Sequence, residues 1–202
     1  MDECPDPFTL FKESFKQNLQ DVGLSIEDYT AMVESAKNII PHIMPTVESY
    51  FGKYEVISVE QLLLEDINDF DSYGKKFKGF IDLVLKTEDN KYHVIDWKTC
   101  SWGWDAKKRS DTNNVYQLTL YKKFFSEKFN ISCDNIETYF ALLKRTAKKN
   151  NVEFIKVSNK KRRTQNAVSL LERAIKNIES KNFIKNRLSC KYCSFYKTDL
   201  CP

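Results

Sequence analysis

Glycine and proline are scarce, five of each in 202 residues, and no Ser/Gly-rich or Pro-rich stretch or internal repeat breaks the chain. That argues against a linker or a repeat array, so a single domain over residues 1–202 is expected. No run of apolar residues approaches the roughly 20 needed to span a bilayer, so no membrane partner is expected. The start, Met1-Asp2-Glu3-Cys4-Pro5, is acidic and lacks the basic flank and apolar stretch of a secretory signal. A cytoplasmic, reducing location follows as an expectation, the host cytoplasm if the protein is viral. Strong net charge is also missing: 32 Lys and Arg against 28 Asp and Glu leave +4. Net charge alone therefore singles out no partner. There is no G-x-x-x-x-G-K-[ST] loop, and hence no fused nucleotide-driven motor.

What is present suffices for a core, with 42% hydrophobic and 13% aromatic residues. Phe8, Phe11, Phe15 and Leu19 recur at helical spacing, and Ser25-Ile26-Glu27-Asp28 opens a second helix carrying Tyr29, Val33, Ala36 and Ile40. Pro41 and Pro45 are expected to break or restart that helix before Val47 to Phe51. Strands are expected over residues 54–64, 80–85, 92–99, 138–143 and 152–157. A helix follows Asp111-Thr112-Asn113 to about Phe129, and a long basic helix presents Val168, Leu171, Ile175 and Ile178. This order indicates an α/β fold, a mixed sheet flanked by helices. Its parts are a helical N-terminal segment (1–52), a core (53–160) and a C-terminal helix with a cysteine-rich tail (161–202). Basic clusters at Lys107-Lys108-Arg109, Lys144-Arg145, Lys148-Lys149 and Lys160-Lys161-Arg162-Arg163 fit either phosphate contacts or solvated loops.

The chemistry centres on the hairpin around Thr87-Glu88-Asp89-Asn90. Asp82 and Asp96 each lie seven residues from Asp89, which places them opposite one another if the turn is centred there. Asp96 and Lys98, two apart on one strand, project to one face, and Ile95 and Trp97 to the other. Opposed carboxylates repel, and a divalent cation with a preference for oxygen, Mg²⁺ or Mn²⁺, would relieve that. Lys98 would then orient or help deprotonate a water attacking a phosphodiester. Spacing alone also fits a strand-ending Asp82 beside an exposed Asp96–Lys98 ion pair.

The segments Gly79-Phe80-Ile81-Asp82-Leu83-Val84 and Val94-Ile95-Asp96-Trp97-Lys98-Thr99 resemble the G-x-I-D-x-V and V-x-D-x-K-T strands of RecB-like PD-(D/E)XK nucleases. Gln117 and Tyr121 match that family's Q-x-x-x-Y motif on the following helix. The resemblance, strong from about Val56 to Tyr121, implies a restriction-endonuclease-like core. It implies metal held by Asp82, Asp96 and the Trp97 carbonyl, with His42, Glu48 or Glu60 as a further ligand. Lys98 would serve the nucleophile, and Gln117 and Tyr121 would position substrate. The implied activity is a Mg²⁺- or Mn²⁺-dependent DNA exonuclease or endonuclease of replication, recombination or repair, preferring ends or single strands. Replication or recombination proteins would be its partners. The small size resembles stand-alone phage or CRISPR-associated members. A non-cutting DNA-binding module and a scaffold of a repair complex stand as alternatives.

Cys190-Lys-Tyr-Cys193 and Cys201 resemble the cysteine tail of relatives that carry a [4Fe-4S] cluster, with Cys4 as the fourth ligand. Four thiolates also suit tetrahedral Zn²⁺, and a tail without metal is the third reading. Cys100 and Cys133 read as buried thiols. Trp102 and Trp104, flanking Gly103, fit either base stacking or core packing.

Overall fold

The computed structural model describes residues 5–19, 23–67, 74–182 and 187–201. Helix α1 (Pro7–Asn18) starts where the Asp6 carboxylate accepts the Phe8 and Thr9 amides. Helix α2 (Ile26–Phe51) starts on a Ser25 cap. It runs unbroken through Pro41 and Pro45, contrary to the expected break. Both prolines are exposed, whereas Ile39 and Val47 on the other side are buried. The carbonyls that lose an amide partner therefore lie on the wet face, where water satisfies them, and packing of the dry face holds the helix together.

Strands β1 (Tyr54–Asp66), β2 (Lys76–Thr87), β3 (Tyr92–Cys100), β4 (Ile136–Lys144) and β5 (Val152–Val157) form one sheet in sequence order. Only the β3–β4 pair is parallel. The crossover between them carries the short α3 (Ala106–Arg109) and α4 (Thr112–Phe129), and α5 (Lys161–Glu179) follows β5. The mixed sheet flanked by helices agrees with the expected α/β class.

Alternation along the strands makes two cores. On one face Val84, Val94, Phe140 and Leu142 pack with Leu118, Phe124 and Phe125 of α4, and with Leu171 and Ile175 of α5. On the other, Leu85, Ile95, Tyr139 and Ala141 pack under Ile43, Val47 and Phe51 of α2. Val168 is half-buried and Ile178 exposed, so the apolar stripe of α5 contacts the core only in its middle. Among the described residues no helix is long and apolar enough to cross a membrane.

Candidate active site

Three elements meet at one place: β2, β3 and α4. The amide of Thr87 bonds the Lys91 carbonyl at 3.0 Å, which makes 87 and 91 a hydrogen-bonded pair. Pairing continues through Leu85 with His93 and Leu83 with Ile95. By that alternation the amide and carbonyl of Trp97 also face β2. The ladder stops at Leu83 and Ile95, however, and the Trp97 amide instead donates to Asp82 Oδ2 at 2.6 Å. A side chain replaces the next rung, and the strands part at the level of Asp82 and Asp96. The register has both acids seven residues from Asp89, as the spacing indicates.

Asp96 lies on the α4 face, where it is 2% exposed. Gln117 Nε2 donates to its Oδ1 at 3.1 Å and lies 3.2 Å from Tyr121 Oη. Lys98 Nζ stands 2.7 Å from Oδ2, a close ionic contact, and a carboxylate oxygen has a second lone pair, so Oδ2 keeps acceptor capacity. Burial pushes the Asp96 carboxyl above its ordinary pKa; the Asp82 charge adds to this, and Lys98 opposes it without prevailing. Cys100, two residues beyond Lys98, is buried on this face as expected, whereas Cys133 is exposed against Ser126.

Tyr121 is seated against Gly79, whose position leaves room for its ring: a Cβ there would lie 2.7 Å from Tyr121 Cε1. Gly79 is the first residue of the G-x-I-D-x-V segment, but the resemblance assigns it no role; a lone glycine inside a strand is the sign of close approach that points to this one.

The structure gathers Asp82, Asp96, Lys98, Gln117 and Tyr121. It does not bring His42 or Glu48 to them. Both belong to α2, which covers the opposite face of the sheet. His42 borders a hollow with Lys37, Arg145 and Asn151. Glu48 acts on Tyr54, which is paired with Thr87 at the turn end of the hairpin. Glu60 occupies the register position facing Asp82 but drops out of the ladder, with a left-handed φ of 51°. Such backbone in a non-glycine residue is strained and gathers at sites that over-determine it. Among the described residues, no three His, Cys, Asp or Glu side chains come together as a metal site.

The donors that do meet nonetheless fit a hydrated divalent cation, which takes only one or two carboxylates from a protein. Asp82 Oδ1 has no protein partner among the described residues, Asp96 Oδ2 retains capacity, and by the strand alternation the Trp97 carbonyl is on the β2 side, where the ladder has ended. In the tail, Cys190, Cys193 and Cys201 are free thiols, with the Cys193 amide bonded to the Cys190 carbonyl and a bridge between Thr198 and Cys201. Cys4 lies outside the described residues, and the three tail thiols are not gathered into a metal site.

No curated protein matches the chain. Among solved structures, a candidate exonuclease of Eubacterium rectale is 15% identical, with a TM-score of 0.55 over 93% of this chain and 68% of that one. SSO0001 is 18% identical, with a TM-score of 0.46 over 93% and 77%. An EndoMS–dsDNA complex is 15% identical, with a TM-score of 0.31 over 53% and 35%. The likeness to the E. rectale protein concerns the fold. The PD-(D/E)XK nuclease superfamily model matches residues 2–202, nearly the whole length. This chain belongs to the PD-(D/E)XK nuclease superfamily.

Proposed function

We propose that this protein is a Mg²⁺- or Mn²⁺-dependent deoxyribonuclease that hydrolyses phosphodiesters in DNA replication, recombination or repair. The observation that carries the reading is the buried Asp96, flanked by Lys98 and Gln117 beside Asp82, where the β2–β3 ladder opens. Asp82, Asp96 and the Trp97 carbonyl would hold the cation, with Glu60 the nearest further candidate by register. When bound, the metal supplies Lewis-acid polarisation of the phosphate and neutralises developing charge.

The chain's own residues do the rest. Gln117 fixes the Asp96 carboxylate, and Tyr121 fixes Gln117. Lys98, held by Asp96 and only partly exposed, orients the attacking water, whose proton leaves to solvent, and donates a hydrogen bond to the charge that grows on the phosphate. Among the described residues the three tail thiols are not gathered into a metal site, so a [4Fe-4S] cluster or Zn²⁺ on Cys4, Cys190, Cys193 and Cys201 enters this proposal only as a group that would require all four thiols to meet.

The test is degradation of end-labelled DNA with Mg²⁺ or Mn²⁺. Asp96→Ala is expected to fall to background and Lys98→Ala to lose roughly 10²- to 10⁴-fold. Cleavage by Asp96→Ala at the parental rate would reject the site. A parent that shifts DNA but never cuts it would instead favour the non-cutting DNA-binding module.

A further inference from the structure

Of the three tryptophans, Trp104 is 6% exposed and Trp97 half-buried, while Trp102 is 74% exposed. A large aromatic left in water gives up the burial that usually justifies it, and the loop around it is not loose. On its N-terminal side, the Ser101 carbonyl accepts the Thr146 amide at 3.1 Å and hydroxyl at 2.8 Å, and the Cys100 carbonyl accepts the Arg145 amide at 2.8 Å. On its C-terminal side, Trp104 packs on Phe140 with ring centroids 4.9 Å apart, and its carbonyl accepts Arg109 Nε at 2.8 Å. Glu153 clamps the assembly, with one oxygen 2.8 Å from Arg109 Nη2 and the other 3.1 Å from Lys144 Nζ.

Residues two apart on extended chain project to one side, yet Trp104 is buried and Trp102 exposed. Gly103, at φ 133°, makes the bend that separates them. Trp102 follows Lys98 by four residues, so at most about 14 Å of chain divides them. Trp104 belongs to the core on the α4 face, the face of Asp96. Exposed Lys107 and Lys108 come next, with Lys108 Nζ 5.2 Å over the Trp104 ring.

An anchored, exposed aromatic beside cations is the arrangement that stacks on a base while the cations meet its phosphates. A base inside a duplex is already stacked on both faces and gains nothing from it. We infer that Trp102 is the stacking platform for an unpaired base, with Lys107 and Lys108 on adjoining phosphates, so that DNA enters the site as a single strand. This rests on the proposed function for its substrate.

The experiment measures binding of a fluorescein-labelled oligothymidylate, and of a duplex of equal length, in buffer without divalent metal. Trp102→Ala should weaken single-strand binding about tenfold, Trp102→Phe should retain most of it, and duplex binding should change less than twofold. Quenching of tryptophan fluorescence by the oligonucleotide should shrink in both variants. Equal affinity of parent and Trp102→Ala, equal losses on single strand and duplex, equal losses in the Ala and Phe variants, or a parent that binds no single strand would each overturn the inference. Binding is read without hydrolysis, so an absence of cleavage would remove the nuclease reading and leave this result standing.

Discussion

At Gly79 a missing side chain matters to a carboxylate three contacts away. Tyr121 lies against the glycine, Gln117 touches Tyr121, and Gln117 holds Asp96. Gly79→Ala must displace the Tyr121 ring, because a contact of 2.7 Å leaves no room for a methyl group. Overpacking of this kind costs about 1–3 kcal/mol. The expected outcome is a lower urea midpoint together with slower cleavage, and an unchanged midpoint would show that the ring yields freely. Asp96 invites the opposite result. A carboxylate 2% exposed is a burden on a metal-free fold, so Asp96→Asn should melt no lower than the parent. The gain would be about 2–4 °C for each kcal/mol relieved. Mg²⁺ or Mn²⁺ should raise the melting temperature of the parent and not of the variant. A drop in the metal-free variant would mean that the Lys98 contact outweighs burial.

At the scale of elements, the β2–β3 hairpin was the most legible part of the sequence. The turn residues and the equal spacing of Asp82 and Asp96 from Asp89 convey its register. What no periodicity conveys is that the ladder ends one step early because the Asp82 carboxylate takes the Trp97 amide, or that Glu60 leaves the strand geometry opposite it. The same limit explains α2: propensity stops a helix at Pro41, and only the tertiary packing of Ile43 and Val47 shows why it continues. The turn end of the hairpin carries a separate charge effect. His93 is buried among Phe51, Tyr139 and Glu137, and burial lowers its pKa against the pull of Glu137. Thr87 Oγ1 lies 2.5 Å from Asp89, which can only accept, so its proton goes there and His93 Nε2–H donates to Thr87 at 2.8 Å. Nδ1 is then the bare nitrogen, buried without a hydrogen bond. With the folded pKa below the unfolded value near 6.5, the neutral ring's contribution is complete above that value. It is lost as the pH falls toward the folded pKa. The melting temperature should therefore fall between about pH 7 and 5, and His93→Gln should flatten that slope. Parallel slopes for the two proteins would assign the effect to the carboxylates instead.

Across the whole molecule, the sheet separates a face that holds the candidate site from a face that only needs cover. Composition and element order made the α/β class legible, but not which helices take which face, since α2 and α4 are both amphipathic in sequence. The N-terminal segment read as one helical part is unequal in its contacts. No residue of α1 is buried, whereas Val47 of α2 is 2% exposed over Leu85, Ile95 and Ala141. Each fully buried aliphatic side chain contributes about 1.5–3 kcal/mol, and a domain's whole stability is only about 5–15 kcal/mol. A chain starting at residue 24 should therefore fold and melt within a few degrees of the parent, while one starting at residue 53 should aggregate with its second core face bare. The shorter trim also removes Cys4. If a cluster joins both ends, the chain starting at residue 24 should lose bound iron, visible absorbance or zinc relative to the parent purified without oxygen, and its melting temperature should drop well beyond the loss of α1. If metal content and melting are alike in the two proteins, the tail thiols act without Cys4, and α2 rather than a metal staple secures the N-terminal part to the sheet.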